Sequence, residues 1–96
     1  MNGARGEVAL EIGGKRRVLC LTLGALAEIE SVFGCASLAE LQARMRGLSA
    51  SELLRVVGIL MKGGGEGVEP GELQRLNIRP AAAAAAVAET FHAGLG

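Results

Sequence analysis

The chain of 96 residues contains no tryptophan, tyrosine or aspartate, and its aromatic residues are limited to Phe33 and Phe91. Single-stranded nucleic acids stack on flat rings, so this shortage argues against a base-stacking surface. Catalysis and metal binding both need several acid, base or ligand side chains together, and the chain has one histidine, His92. We therefore expect a protein that is not an enzyme and that uses no cofactor or metal.

Neither sign of charge is in excess, since ten basic residues are balanced by ten acidic ones. Proteins that bind duplexes concentrate positive charge on one face, so nucleic acid is not an expected partner. No apolar run approaches the roughly 20 residues of a membrane-spanning helix, and the first residues do not read as a signal peptide. Cys20 and Cys35 are expected to remain thiols, and the protein is expected in the bacterial cytoplasm, with no membrane partner.

The N-terminal third predicts a β-hairpin. Residues 7–12 alternate between polar and apolar side chains, which is the period of a half-buried strand. Gly13-Gly14 can adopt the positive φ angles of a tight turn, and residues 16–21 form an apolar return strand.

The register of this hairpin is open to two interpretations. A loop of three residues ending at Lys15 would place Glu11 opposite Arg17, pairing opposite charges. A loop of two residues would instead place Leu10 opposite Arg17. We favour the longer loop because it separates charged and apolar side chains onto different faces.

Helix-start signals follow the hairpin at Thr22, Ser37, Ser49, Pro70 and Pro80. Ser37 and Ser49 each precede a glutamate by three residues, the spacing of a capping box. Pro80 is followed by six alanines, which favour a helix. Residues 63–67 are rich in glycine and predict a flexible loop. Together these signals predict an α+β fold in which an N-terminal β-hairpin is followed by four or five short helices in a single domain spanning residues 1–96. Its core is expected to contain Val8, Leu10, Val18, Leu26, Phe33, Leu41, Leu53, Val57, Leu60 and Phe91.

The third predicted helix, from Ser49 to about Lys62, has an unusually wide apolar arc. Ile59 lies outside that arc, within the polar stripe. One interpretation is that the helix is central and is covered on most sides. The other is that Ile59 and its neighbours bind a partner, which makes Val56, Ile59 and Leu60 the candidate partner-binding residues. The alanine-rich last helix is a second candidate contact surface.

The segment from Arg5 to Glu30, above all Leu21-Thr-Leu-Gly-Ala-Leu-Ala-Glu-Ile-Glu30, resembles the gene-transfer-agent branch of the phage tail-assembly-chaperone family. Members of this family are also labelled tail tube proteins. The likeness continues through Ser37-Leu-Ala-Glu40 and the alanine-rich end, so it covers most of the chain. The shared pattern is a threonine cap followed by leucine, alanine and glutamate, and it contains no catalytic residue.

The resemblance implies a non-catalytic role in assembling a phage-like tail. Related chaperones are thought to coat the tape-measure protein before the tail tube forms around it, so the implied partner is the tape measure or another tail protein. Self-association into a homo-oligomer is left open. The alternative is a structural tail-tube or connector subunit, which would be found in the tail of the finished particle.

Overall fold

A computed structural model describes residues 6–95, in which a two-stranded antiparallel hairpin precedes five helices. The elements, in chain order, are β1 Glu7–Ile12, β2 Lys15–Cys20, α1 Leu23–Phe33, α2 Leu38–Arg44, α3 Ala50–Gly63, α4 Pro70–Arg75 and α5 Pro80–Leu95. The predicted α+β fold class is therefore confirmed.

Local capping explains where the first three helices begin. The Thr22 hydroxyl accepts a hydrogen bond from the Ala25 N–H at 3.0 Å, and the Ser49 hydroxyl accepts one from the Glu52 N–H at 3.2 Å. In turn, the Glu52 carboxylate accepts a hydrogen bond from the Ser49 N–H at 2.8 Å, which completes a capping box. Ser37 caps α2 in the same way through its hydroxyl. Short-range sequence signals thus determine these helix starts.

The hairpin closes with a two-residue turn, so the predicted three-residue loop is wrong. Ile12 pairs with Lys15, leaving Gly13 and Gly14 as the turn, with φ angles of 60° and 82°. Two successive residues with positive φ form a turn whose twist matches that of the two strands. Glycine adopts this conformation without steric strain, and the turn geometry decides the register.

The observed register places Arg17 opposite Leu10, on the side of the hairpin that faces the core. The Arg17 guanidinium lies 3.9 Å from the Glu66 carboxylate, and its side chain is 21% exposed. The charge is therefore accommodated at the border of the core by an acidic partner that is distant in sequence. The same register turns Leu19 into the core and leaves Val18 half-buried on the opposite face.

Helix α3 is the central element of the fold. It packs against β2, α1, α4 and α5, while α5 also packs along β1. Ala83 and Ala86 are buried, and their small side chains let α5 approach its neighbours closely. The buried Thr90 hydroxyl donates a hydrogen bond to the Ala86 carbonyl at 2.6 Å, so this polar group in the core is paired.

Most of the predicted core is observed, but the prediction was incomplete. The predicted residues that are buried are Leu10, Leu26, Leu41, Val57, Leu60 and Phe91. The predicted residues that are only half-buried are Val8, Val18, Phe33 and Leu53. Buried residues that were not predicted include Ile12, Leu19, Ile29, Val56, Ile59, Met61, Leu73 and Val87.

The C-terminal end of α3 covers the outer edge of β2. The Val18 N–H donates a hydrogen bond to the Glu66 carboxylate at 2.7 Å. A Cβ atom on Gly63 would lie 2.3 Å from the Cys20 carbonyl oxygen, and one on Gly64 would lie 2.4 Å from that of Val18. Residues 63 and 64 are therefore a tightly packed helix end, and the prediction of a flexible loop is wrong there.

Removing the Glu66 carboxylate should destabilise this covered edge. We expect Glu66→Ala to lower the free energy of unfolding by about 1.5 kcal/mol, because the Val18 N–H loses its acceptor and Arg17 loses its counter-charge. Urea denaturation followed by circular dichroism measures this change. Glu66→Gln keeps an acceptor oxygen and should lose less stability. Equal losses in the two variants would contradict a role for the hydrogen bond.

The capping carboxylate of Glu52 should make stability depend on pH. Hydrogen bonding from the Ser49 backbone, followed by the interaction with Arg44, lowers the pKa of Glu52 from its ordinary value of 4.5. A folded-state pKa below the unfolded one stabilises the folded protein above pH 4.5, and this contribution is lost as the pH falls through the folded-state pKa.

Glu52→Gln should therefore be less stable than the unmodified protein at about pH 7, and the difference should shrink at about pH 3. Urea midpoints at the two pH values measure it. Glu89→Gln, at an exposed position on α5, is the matched control and should show no such pH-dependent difference. A Glu52→Gln difference that stays constant with pH would contradict the role of the carboxylate charge.

Candidate protein-binding surfaces

The side chains with reactive chemistry are dispersed. Within residues 6–95, no group of three or more His, Cys or Glu side chains is placed to hold a metal ion. Cys20 and Cys35 are not joined in a disulfide, and both are half-buried. Burial raises the pKa of the Cys20 thiol, and the Glu7 carboxylate, paired with it across the hairpin, adds to the effect. Cys20 is thus held as a thiol rather than as a reactive thiolate.

The described helices include none that is both long enough and apolar enough to cross a membrane.

Val56, Ile59 and Leu60, the predicted partner-binding residues, all lie in the core. Val56 and Leu60 are fully buried, and Ile59 is 6% exposed although it falls in the polar stripe of α3. Helix α4 packs on this side of α3, where the Leu73 side chain lies 3.3 Å from the position of a Cβ on Gly58. Of the two interpretations of this helix, the structure agrees with the first, a central helix that is covered on most sides. Binding of a partner by these residues stays a prediction.

An open groove lies between α2, the start of α3, and α5, and we call it the α2–α5 groove. It has a volume of about 480 Å³, and its apolar lining comes from Met45, Leu48, Leu53, Val87, Phe91 and Leu95. Exposed Ala84 and Ala88 form part of the α5 wall. The ionisable side chains that line it, among those described, are Arg46 and His92. The α2–α5 groove therefore combines an apolar floor with a rim that carries the positive charge of Arg46.

A second groove, of about 450 Å³, lies between α1, α3 and α4, and we call it the α1–α4 groove. Ile59 contributes to its lining, together with Val32, which is 38% exposed. The walls carry both signs of charge, and Lys62 and Glu28 form an ion pair across them at 2.8 Å. Arg55 also lines the α1–α4 groove, so its walls carry one positive charge in addition to this ion pair.

Comparison with known protein families identifies the chain. A family model described as "Phage tail tube protein, GTA-gp10" matches residues 5–96, which is nearly the whole sequence. The chain belongs to this family. No curated protein and no solved structure matches it significantly.

Membership of the GTA-gp10 family confirms that the protein is a tail protein of phages or gene transfer agents, as the resemblance implied. It connects the protein with phage-like particles and with other tail proteins as partners. The description of the family is that of a tail tube protein, and it does not support the more specific label of assembly chaperone.

In this GTA-gp10 protein, sequence reasoning found one of the two walls of the α2–α5 groove. The alanine-rich helix α5, a predicted contact surface, lines the groove, and contact with a partner there stays a prediction. The opposite wall was missed, because Met45 and Leu48 lie at the end of α2 and in the connection to α3. The sequence does contain a signal for this wall, because Met45 and Leu48 are two large apolar side chains in a segment that follows a helix.

Proposed function

We propose that this protein is a non-catalytic structural component of a phage-like tail, either a tail-tube or a connector subunit that is retained in the finished particle. The observation that carries the proposal is the match of residues 5–96 to a family described as tail tube proteins. This reading takes precedence over the assembly-chaperone hypothesis, which the family description does not support.

The surfaces of the protein are consistent with a subunit that is held by protein contacts. A retained subunit needs stable interfaces on more than one side, since it must contact neighbours along and around the tail. The two grooves lie on different sides of the central helix α3, one against α5 and the other against α1 and α4. Each offers apolar side chains that a neighbouring tail protein can bury.

Quantitative mass spectrometry of purified particles tests this proposal. We expect the protein in mature particles at a constant ratio to the major capsid protein, and we expect tailed particles to be lost when its gene is deleted. A protein that is abundant in the producing cells but missing from intact tailed particles would overturn the structural role.

The α2–α5 groove favours a second candidate function, binding of the tape-measure protein during assembly. An amphipathic helix can place its apolar side chains in such a groove. The positive charge of Arg46 at the rim would favour a helix with acidic residues beside its apolar face. We suggest this role for the groove because its shape and charge suit a helical segment of a long partner.

Co-expression with the tape-measure protein, followed by affinity capture and light scattering, tests the second candidate. Ala88→Glu places a bulky acidic group on the groove wall and should abolish capture. Ala85→Glu changes an exposed alanine of the same helix that does not line the groove, and it should leave capture unchanged. Capture that survives both substitutions would exclude the groove as the binding site.

A further inference from the structure

The two edges of the hairpin differ in whether their outward backbone groups are hydrogen-bonded. A two-residue turn makes Ile12 and Lys15 a hydrogen-bonded pair, and the pattern then alternates along the strands. The backbone N–H and C=O groups of Val18 therefore point away from β1, and the N–H is bonded to the Glu66 carboxylate at 2.7 Å. Gly63 and Gly64 pack against the same edge. The edge of β2 is thus covered by the protein itself.

Among the residues that the structure describes, no segment covers the edge of β1 by hydrogen bonds in this way. By the same alternation, the N–H and C=O groups of Glu7, Ala9 and Glu11 point away from β2. Within residues 6–95, no backbone hydrogen bond outside the hairpin engages these groups. Unpaired groups in a row along a strand are a template for adding another strand.

Two of the side chains along this edge are acidic. Glu7 and Glu11 are four residues apart, so both lie on the outer face of the hairpin, with Ala9 between them. Antiparallel pairing with a second copy around Ala9 would place each Glu7 opposite Glu11 of the copy, which is repulsive. The basic strand β2 of a second copy is not available either, because its edge is covered as described above.

We propose that the edge of β1 binds an extended segment of another protein that carries lysine or arginine at two positions four residues apart. The backbone groups of β1 would hold the segment as a third strand. Its basic side chains would lie opposite Glu7 and Glu11, and a small or β-branched side chain would lie opposite Ala9. This binding does not depend on whether the protein is retained in the particle or acts only in assembly.

A labelled peptide tests the proposal directly on the full chain. The probe is fluorescein-Thr-Lys-Val-Thr-Val-Lys-Thr-amide, in which the two lysines share one face of a strand. The matched control peptide has glutamate in place of both lysines. Fluorescence anisotropy should show that the lysine peptide binds at least about tenfold more tightly, with binding weakened by salt. Equal affinity for the two peptides would overturn the charge selection.

Two variants of the protein separate backbone pairing from charge. Ala9→Pro removes an outward N–H at a position where an edge strand tolerates proline, and it should reduce peptide affinity at least about tenfold. Ala9→Val keeps the N–H and should bind normally, and circular dichroism checks that both variants are folded. The double variant Glu7→Gln/Glu11→Gln should bind both peptides within about twofold of each other.

Three results would overturn the proposal. The first is full peptide binding by folded Ala9→Pro. The second is retained preference for the lysine peptide in the double glutamine variant. The third is self-association of the unmodified protein that Ala9→Pro abolishes in light scattering, which would make a second copy the occupant of this edge.

Discussion

Gly64→Ala is expected to lower the free energy of unfolding by about 3 kcal/mol, and Gly63→Ala by a similar amount. Neither position needs glycine for its φ angle, which is −87° at Gly64 and not positive at Gly63. The reason is space, because an added Cβ would lie 2.4 Å from the Val18 carbonyl oxygen at Gly64 and 2.3 Å from that of Cys20 at Gly63. Backbone atoms cannot rotate away as a flexible side chain can, so α3 and β2 would have to separate. Urea denaturation followed by circular dichroism measures the loss.

Gly71→Ala is the matched control for these substitutions. Gly71 is helical, has no positive φ, and has no atom within 4 Å of the position of an added Cβ. Alanine there should leave stability unchanged or raise it by about 0.5 kcal/mol, since glycine is the poorer helix former. If Gly63→Ala and Gly64→Ala behaved like this control, the close packing of α3 on β2 would be refuted.

Ile59→Asp is expected to lower the free energy of unfolding by at least about 3 kcal/mol. The substitution removes an apolar side chain that is 6% exposed and puts a carboxylate in its place, on the face of α3 that borders α1 and α4. A domain of this size is stabilised by only about 5–15 kcal/mol in total. A large part of the protein population should therefore unfold at moderate temperature, which a thermal melt followed by circular dichroism detects.

Arg55→Asp, one helical turn earlier at an exposed position of the same helix, is the control. It also introduces aspartate, and it should change stability by no more than about 0.5 kcal/mol. Equal stability of the two variants would contradict the burial of Ile59. Because Ile59→Asp is expected to unfold the protein, loss of partner capture by this variant would not locate a binding surface, and substitutions on the groove walls are the better probes.

Helix positions were predictable because their signals are local. The Thr22, Ser37 and Ser49 hydroxyls bind N–H groups only three residues away, so the sequence itself contains both partners of each hydrogen bond. Gly34, with a φ of 66°, ends α1 where glycine is the favoured residue. The family resemblance was detectable for the same reason, because it rests on the contiguous segment around Thr22.

The hairpin register was not predictable from charge pairing between the two strands alone. Placing Arg17 opposite Leu10 looks unfavourable until Glu66, distant in sequence, is seen beside it. The favoured twist of the two-glycine turn and this ion pair both support the observed register. Cross-strand neighbours alone do not decide the register, because the third element lies outside the hairpin.

The sequence by itself determined the secondary structure, the fold class and the membership of a phage tail family, since each depends on periodicity, capping or contiguous pattern. Only the tertiary structure decided that Ile59 is buried, that Gly63 and Gly64 pack on β2, and that within residues 6–95 the edge of β2 is covered while that of β1 is not hydrogen-bonded. These features depend on where α3 and α4 pack. Side chains and backbone groups far apart in the chain create them, and no local pattern contains both partners.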